Sequence, residues 1–501
     1  MSEPTALRTS HRRRALIAVC LTAAAMPLTF TGTAMILPVI GRELGASAIE
    51  IAWVTNAFML TFGSTLMAMG AIADGSGRRR LFLIGSVAFA LVSLMLMFTS
   101  DMVIFDWLRA AQGLAAAATL SGGMAALAQL FDGPARLRAF SLIGTSFGAG
   151  LSLGPMISGV MAEAFGWHSV FMPVVALAGM AWLIGAHAMG ESRNPKAAGL
   201  DWPGALSFTA ALALFTYAIL SVPEHGWSSA TAVMPLLAAA LLGAGFVWIE
   251  HSVRQPILDL SLFRYPRFVG VQLLAAAPAY GFVVLLILLP MRFVGIERMP
   301  EVTTGLMMMA LSAPLLILPV LSGQLTRWWP PATLCASGLG LTAVGLAGLA
   351  MLPLNAPAWA TALTMLVIGT GISLPWGLMD GLAVSVVPRE RAGMAAGIFS
   401  TMRVAGEGVA LAVVGAMLST LIVVSMPDSE GVTTAANLLA VGNLEAARSA
   451  LPDVDTAELV AHYGYAFSRL LWILAAITLT TAVVLLLTLG RGESGESLDR
   501  A

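Results

Sequence analysis

Charge is scarce along this chain. Of its 501 residues only 11% are Asp, Glu, Lys or Arg, where a soluble domain carries about 25%. With 58% hydrophobic residues, a water-soluble fold would leave broad apolar surfaces uncovered, whereas a bilayer accommodates them. Cysteine is almost missing: Cys20 and Cys335 lie far apart inside apolar runs, at no metal or redox spacing, and read as small core residues. The six histidines fall singly. With neither a metal cluster nor a nucleophile elbow in the sequence, a membrane enzyme has little to build on. A formal net charge of −1 offers nothing to nucleic acid, and no cofactor is expected.

What the chain has instead is long apolar runs. A helix needs about 20 such residues to cross about 30 Å of hydrocarbon. Candidate spans lie at 15–40, 51–73, 81–100, 103–130, 139–162, 170–189, 204–222, 230–249, 268–290, 303–325, 332–353, 358–387, 393–425 and 465–489, about fourteen by that length rule. The runs lack the short alternating segments of a membrane barrel, so an all-α polytopic membrane protein is expected. Arg8, Arg12, Arg13 and Arg14 precede the first run as in a signal peptide, but that run continues past any plausible cleavage site to about Ile40, so it reads as a retained span.

Orientation follows the arginines. Alternate loops hold Arg78, Arg79 and Arg80; Arg136 and Arg138; Arg193 and Lys196; Arg254, Arg264 and Arg267; Arg327; and Arg389 and Arg391. The opposite loops hold only Arg42, Arg292, Arg298 and Arg448. Both termini are therefore expected in the cytoplasm, with Arg491 and Arg500 in the second tail. Trp53, Trp107, Trp167, Trp202, Trp227, Trp248, Trp328 and Trp359 fall where helices meet water, as an aromatic belt requires. Trp182 and Trp376 lie deeper, where they could face a ligand or serve packing. The acidic segment from Pro427 to about His462 reads as a solvated external loop with a short helix near Leu438–Leu451, or else a lid.

Three motifs carry chemistry. Between spans 2 and 3 stands Gly70-Ala-Ile-Ala-Asp74-Gly-Ser-Gly77-Arg78-Arg79-Arg80; the glycine suits a tight turn and the arginines suit an anionic membrane face. Span 4 contains Arg109-Ala-Ala-Gln112-Gly113, a charge that must face a cavity, a partner such as Asp106 one turn earlier, or the interface. Span 5 reads Gly150-Leu-Ser-Leu-Gly154-Pro155-Met-Ile-Ser158-Gly159, where small residues four apart allow close helix approach and Pro155 bends the helix.

These motifs resemble three signatures of the major facilitator superfamily: G-x-L-A-D-R-x-G-R-K, R-x-x-Q-G and the antiporter motif G-x-x-x-G-P-x-x-G-G. Gly75 replaces the usual base of the first, and Ser158 one glycine of the third. Asp201-Trp202-Pro203-Gly204, Phe246-Val-Trp-Ile-Glu250 and Pro256-Ile-Leu-Asp259-Leu-Ser-Leu-Phe263-Arg264 extend the likeness to the fourteen-span drug:proton antiporters. The resemblance implies two six-helix bundles, 15–189 and 268–489, with two inserted helices and their linkers at 190–267. Cytoplasmic tails at 1–14 and 490–501 and an external loop at 427–462 complete the division. It also implies a cytoplasmic lock, with Asp74 facing the start of helix 13 near Gly393 and Arg78 paired with Asp132.

One departure stands out. The branch carries an acid in helix 1; aligned on Leu37-Pro38, that acid falls on Thr29 and the following Asn on Ala34. A proton-linked acid must then lie elsewhere. Span 13 contains Arg403-Val-Ala-Gly406-Glu407-Gly408, with Glu407 roughly 20 Å into a helix beginning near Gly393. Glu407 and Arg403, one turn apart, either form a structural pair or serve coupling; Asp380 in span 12 is the second candidate. The expected function is proton-driven export of small amphipathic or cationic compounds across the cytoplasmic membrane by a monomer, without a cofactor beyond the proton gradient. The 28 methionines suit an adaptable pocket or are ordinary filler. A single-metabolite exporter or exchanger, and a non-transporting receptor or scaffold, are the alternatives.

Overall fold

The computed structural model describes residues 5–131, 133–193, 201–253, 258, 260–387, 392–427 and 429–489. Among them fourteen helices are long and apolar enough to cross a bilayer: α1 (Ser10–Glu43), α2 (Ala48–Ser76), α3 (Arg78–Leu96), α4 (Met102–Leu130), α5 (Arg138–Phe165), α6 (Trp167–Ala188), α7 (Trp202–His225), α8 (Ala230–Ser252), α9 (Pro266–Ile296), α10 (Glu301–Leu325), α11 (Pro331–Met351), α12 (Ala358–Ala383), α13 (Gly397–Ser425) and α14 (Thr456–Leu489). No strand occurs among the described residues. With no water in hydrocarbon, a helix is the form that satisfies each backbone group within its own segment.

Polar side chains close the exposed helix starts. Ser47 and Glu50 form a reciprocal capping box on α2, with the Ser47 N–H donating to Glu50 Oε2 at 2.8 Å. Asp101 Oδ1 accepts from the Ile104 N–H at 2.9 Å at the head of α4. The first helix reaches back to Thr5, so the arginines expected in an N-terminal tail ride on its opening turns.

Small residues bring the helices together. A Cβ at Gly113 would strike the Phe58 carbonyl and Thr61, so this glycine sets the approach of α2 to α4. Gly150 lies against the Ala24 carbonyl and Gly154 against Thr31, seating α5 on α1. Gly338 and Gly371 do the same between α11 and α12. The inserted helices α7 and α8 pack on each other, and α7 also lies on α2 and α13.

At one end of the molecule the two halves are in close contact. Toward the end away from the loop arginines, Gly159 meets the Glu301 carbonyl, Gly305 meets Pro155, and Ser152 Oγ donates to the Ser312 carbonyl at 2.6 Å, so α5 and α10 are in backbone contact. Midway, Gly63 lies against the Ala405 backbone, joining α2 to α13. Toward the arginine-rich end Ser141, Leu142, Gly144 and Thr145 of α5 are exposed, as are Ile317, Val320 and Leu321 of α10, while Met67 of α2 still packs against Gly397 and Ile398 of α13.

Two expectations change. The acidic segment is not a solvated loop with one helix. Val432–Ala440 and Leu444–Ala450 are two short helices that bury Val432, Ala435, Leu439, Leu444 and Ala447 in the main core. Gly442 between them, at φ 77°, packs its backbone on Met291 and Gly295 of α9. Glu445, Asp453, Asp455 and Glu458 point outward, which is why composition alone suggested a loop. The cap is also shorter than 427–462, because α14 begins at Thr456. Trp107, Trp202, Trp227, Trp248, Trp328 and Trp359 are exposed as a belt requires, but Trp167 is 3% exposed and its indole N–H donates to Glu43 Oε2 at 2.6 Å. An indole with a protein acceptor needs no interface.

Gly113→Ala places a methyl group into the α2 backbone, and overpacking of this kind costs about 1–3 kcal/mol. Its thermal unfolding midpoint in detergent is expected several degrees below the parent's. Gly144→Ala, where nothing lies within 4 Å, should leave the midpoint unchanged or higher, since Ala favours a helix over Gly by up to about 1 kcal/mol.

Candidate functional site

The first half of the chain holds a buried polar centre on α1, α2, α3 and α4. Arg109 is 0% exposed. Its Nε–H donates to the Val54 carbonyl at 2.9 Å, its Nη1 donates to Gln112 Oε1, and its guanidinium lies 4.6 Å from the Phe58 ring centre. Gln112 Nε2 then donates to Ser93 Oγ at 2.7 Å and Thr29 Oγ1 at 3.2 Å. Thr29, 1% exposed, is thus an acceptor inside the helix packing rather than a cavity wall. Asp106 makes no ion pair with Arg109, because the guanidinium is turned to α2; Asp106 Oδ1 is buried without a partner.

The turn between α2 and α3 is built by Gly77, whose φ of 119° favours glycine. Asp74 Oδ1 accepts from Arg78 at 2.7 and 3.0 Å, within its own loop; the side chains at the start of helix 13 near Gly393, toward which the lock was expected, lie outside the described residues. Asp132, the expected partner of Arg78, lies outside the described residues. Arg79 turns away from the membrane face and donates to the Ala186 carbonyl at the end of α6 at 2.8 Å, where a cation suits the helix dipole. Gly70 faces open space.

Helix α5 uses its motif on two sides. Gly150, Gly154 and Ser158 face α1, with Ser158 Oγ set against Gly32. Pro155 and Gly159 face α10. The motif therefore lies at the seam where α5 meets both α1 and a helix of the second half.

The second half carries the remaining ionisable candidates. Glu407 lies near the middle of a helix running Ala392–Ser425. It is half-buried and makes no hydrogen bond or ion pair among the described residues. Arg403 shares its face but pairs elsewhere: Nη1 is 3.3 Å from Asp380 Oδ1 of α12. The expected Arg403–Glu407 pair is replaced by this interhelical one, which α12 offers just past its break at Gly377 and Leu378. Asp380 is 65% exposed, so the pair is worth at most about 1 kcal/mol. Trp376, beside the break, packs edge-on against Phe282 of α9 with ring centres 6.1 Å apart. Trp182 of α6 is 38% exposed, and its neighbours Met180 and Leu183 are exposed with it.

A family model described as Major Facilitator Superfamily matches residues 18–411. The chain belongs to this superfamily. It is 28% identical over 388 residues to the multidrug resistance protein Stp of Mycobacterium tuberculosis, covering 76% of this chain and 71% of that one. The multidrug efflux pump LfrA of Mycolicibacterium smegmatis is 26% identical over 463 residues, 91% of this chain and 92% of the relative. The puromycin resistance protein of Streptomyces alboniger is 30% identical over 406 residues, 78% and 80%. Among solved structures, a peptide transporter with bound sulfate superposes with TM-score 0.64 at 11% identity, over 95% of this chain and 94% of that one. The human organic anion transporter MFSD10 gives 0.56 at 14%, over 95% and 100%. At such identities these two show the fold alone.

For a member of the major facilitator superfamily, two polar features here escaped the motif reading. Glu191, after α6, accepts from the Arg80 N–H at 3.1 Å and lies against Gly77, fastening the α2–α3 turn from a distant segment. Arg292, expected in an external loop, is 2% exposed on α9. Its Nε sits 2.6 Å from Glu297 Oε1, and its guanidinium lies 5.3 Å from the Phe467 ring centre of α14. Burial pushes the Glu297 carboxyl above its ordinary value, opposed by the Arg292 charge. No local spacing announces either contact. Asp201, by contrast, stands in its motif as a cap, accepting from the Gly204 N–H at 3.0 Å; Gly204 in turn lies against Glu250 of the next motif.

Lysine cannot serve Val54 and Gln112 together as a planar guanidinium does. Arg109→Lys is therefore expected to lower the unfolding midpoint in detergent by several degrees. Thr29→Val leaves Gln112 its bond to Ser93 and should cost less than half as much. Equal losses would show that Thr29, not Arg109, organises the centre.

Proposed function

We propose that this protein exports small amphipathic or cationic compounds across the cytoplasmic membrane, driven by protons and coupled through Glu407. The observation that carries the coupling is the mid-helix carboxylate with no partner of its own. An acid at that depth is costly unless it is paired, wetted or protonated. Arg403 is held by Asp380, so Glu407 is available to a proton or to a cationic substrate in turn. The names of the relatives, multidrug and antibiotic exporters, support the substrate class.

With the arginine-rich end placed in the cytoplasm by the positive-inside rule, both termini are cytoplasmic and the end where α5 meets α10 faces outside. In the proposed cycle the Asp74–Arg78 bond is one arrangement of the turn, and Asp74 faces the second half when the cytoplasmic end closes. Deprotonated, Glu407 attracts a cation from the cytoplasm. The two halves then rock about the glycine seams, and a proton from outside neutralises Glu407 and releases the cargo. The protein works as a monomer in this scheme, and the proton gradient is its energy source. A single-metabolite exchanger is the second reading, favoured by Thr29 standing where the branch carries an acid.

The test uses proteoliposomes with an imposed pH gradient and a panel of cationic, neutral and anionic compounds. Glu407→Gln is expected to reduce gradient-driven accumulation of cations at least tenfold while leaving gradient-independent exchange. Asp380→Asn, which loses only an exposed pair, should slow transport no more than severalfold. If Glu407→Gln pumps like the parent and Asp380→Asn does not, coupling belongs to α12. A response to one compound alone favours the exchanger.

A further inference from the structure

A cleft opens toward the end of the molecule where α5 meets α10, reaching on α13 to Leu411, one helical turn from Glu407. Its walls are the first turns of α2, the last turns of α7 and α9, the outer half of α13 and the capping helix Val432–Ala440. Counting its open mouth, it encloses about 640 Å³. Most of the lining is aliphatic, from residues such as Leu220, Ile287 and Leu411. Polar groups are few and unevenly satisfied. Asn437 and Ser419 are bonded to each other. Asn56 is 2% exposed, and its Nδ2 donates to the Ala52 carbonyl at 2.9 Å, which fixes the amide. Its Oδ1 is left buried with no partner. At the mouth, Glu224 is exposed and makes no hydrogen bond or ion pair among the described residues. Among the described lining residues it is the one charged group.

A buried unpaired acceptor costs about 1–3 kcal/mol, and such a group inside an apolar cleft marks a place for a donor. The free carboxylate at the rim, with no basic residue lining the cleft, selects a cation. We propose that this cleft is a second ligand site, distinct from the one at Glu407, for a small molecule with an apolar body and an ammonium or similar N–H donor. The walls bridge both halves: α2 belongs to the first, α9 and α13 to the second. An occupant therefore holds these helices together and favours the conformation closed at this end.

A site-local readout tests this without requiring transport. Cys20 and Cys335 are replaced, Ala440→Cys is introduced in the cleft wall, and maleimide modification is timed on purified protein in nanodiscs with 1-naphthylmethylamine as probe. Ala48→Cys at the rim repeats the measurement should the first variant fold poorly. The amine is expected to slow modification at least fivefold and saturably. Neutral 1-naphthylmethanol should protect far less, and Glu224→Gln should raise the half-protecting amine concentration at least fivefold. The proposal is overturned if the amine gives no protection, if the alcohol protects equally, or if protection survives Glu224→Gln. Protection lost in Glu407→Gln but kept in Glu224→Gln would trace the effect to the central site and overturn it likewise. Failure here leaves the pH-driven export assay untouched, since no gradient is involved.

Discussion

Hydrocarbon offers no water to a polar group, and the rest of this structure follows from that constraint. Backbone groups are satisfied within helices. Helices can approach closely only where side chains are small, so glycines such as Gly63, Gly113 and Gly159 sit where backbone meets backbone. A charge at depth must find its partners in protein. Arg109 does so through a backbone carbonyl, an amide and an aromatic face. Burying such a charge in a bilayer costs about 2.5–3.5 kcal/mol at a helix centre on insertion scales, and an arginine held at Nε and Nη1 by protein partners is a fixed part of the packing, even with its Nη2 left buried without one. Glu407, with no hydrogen bond or ion pair among the described residues, is the group proposed to change state.

The two ends of the molecule divide the work. At one end α5 and α10 touch through backbone, and the short helices from Val432 to Ala450 pack their apolar sides down onto α9. At the other end the Asp74 carboxylate is bound within its own loop by Arg78. The proposed cycle gives this acid a second partner across the molecule. An equilibrium between such arrangements is shifted severalfold by differences of about 1 kcal/mol.

Much of the fold was legible in the sequence because hydropathy and length together define a span, and the fourteen spans needed only small changes of boundary. The motif glycines were legible because small residues four apart have one physical use in a membrane helix. Facing was less legible. Trp167 opens α6 and Trp182 lies fifteen residues further along it, yet the first, expected at the interface, is buried with a hydrogen bond to Glu43, and the second, expected deeper, is 38% exposed. Partner choice was least legible. Arg403 is one turn from Glu407 in sequence but reaches Asp380, because the break in α12 brings that carboxylate to it. Glu191 supports the Gly77 turn across more than a hundred residues, with no local pattern to announce it.

The central claim is that Glu407 holds a proton or a cation in turn, so binding one must displace the other. Adding tetraphenylphosphonium to purified protein in lightly buffered detergent, with a pH indicator dye, measures this displacement directly. At a pH where the free protein carries the proton, the account predicts release of about one proton per protein at saturation, and none from Glu407→Gln. Saturable binding of the cation with no proton release, or with equal release from Glu407→Gln, would contradict it.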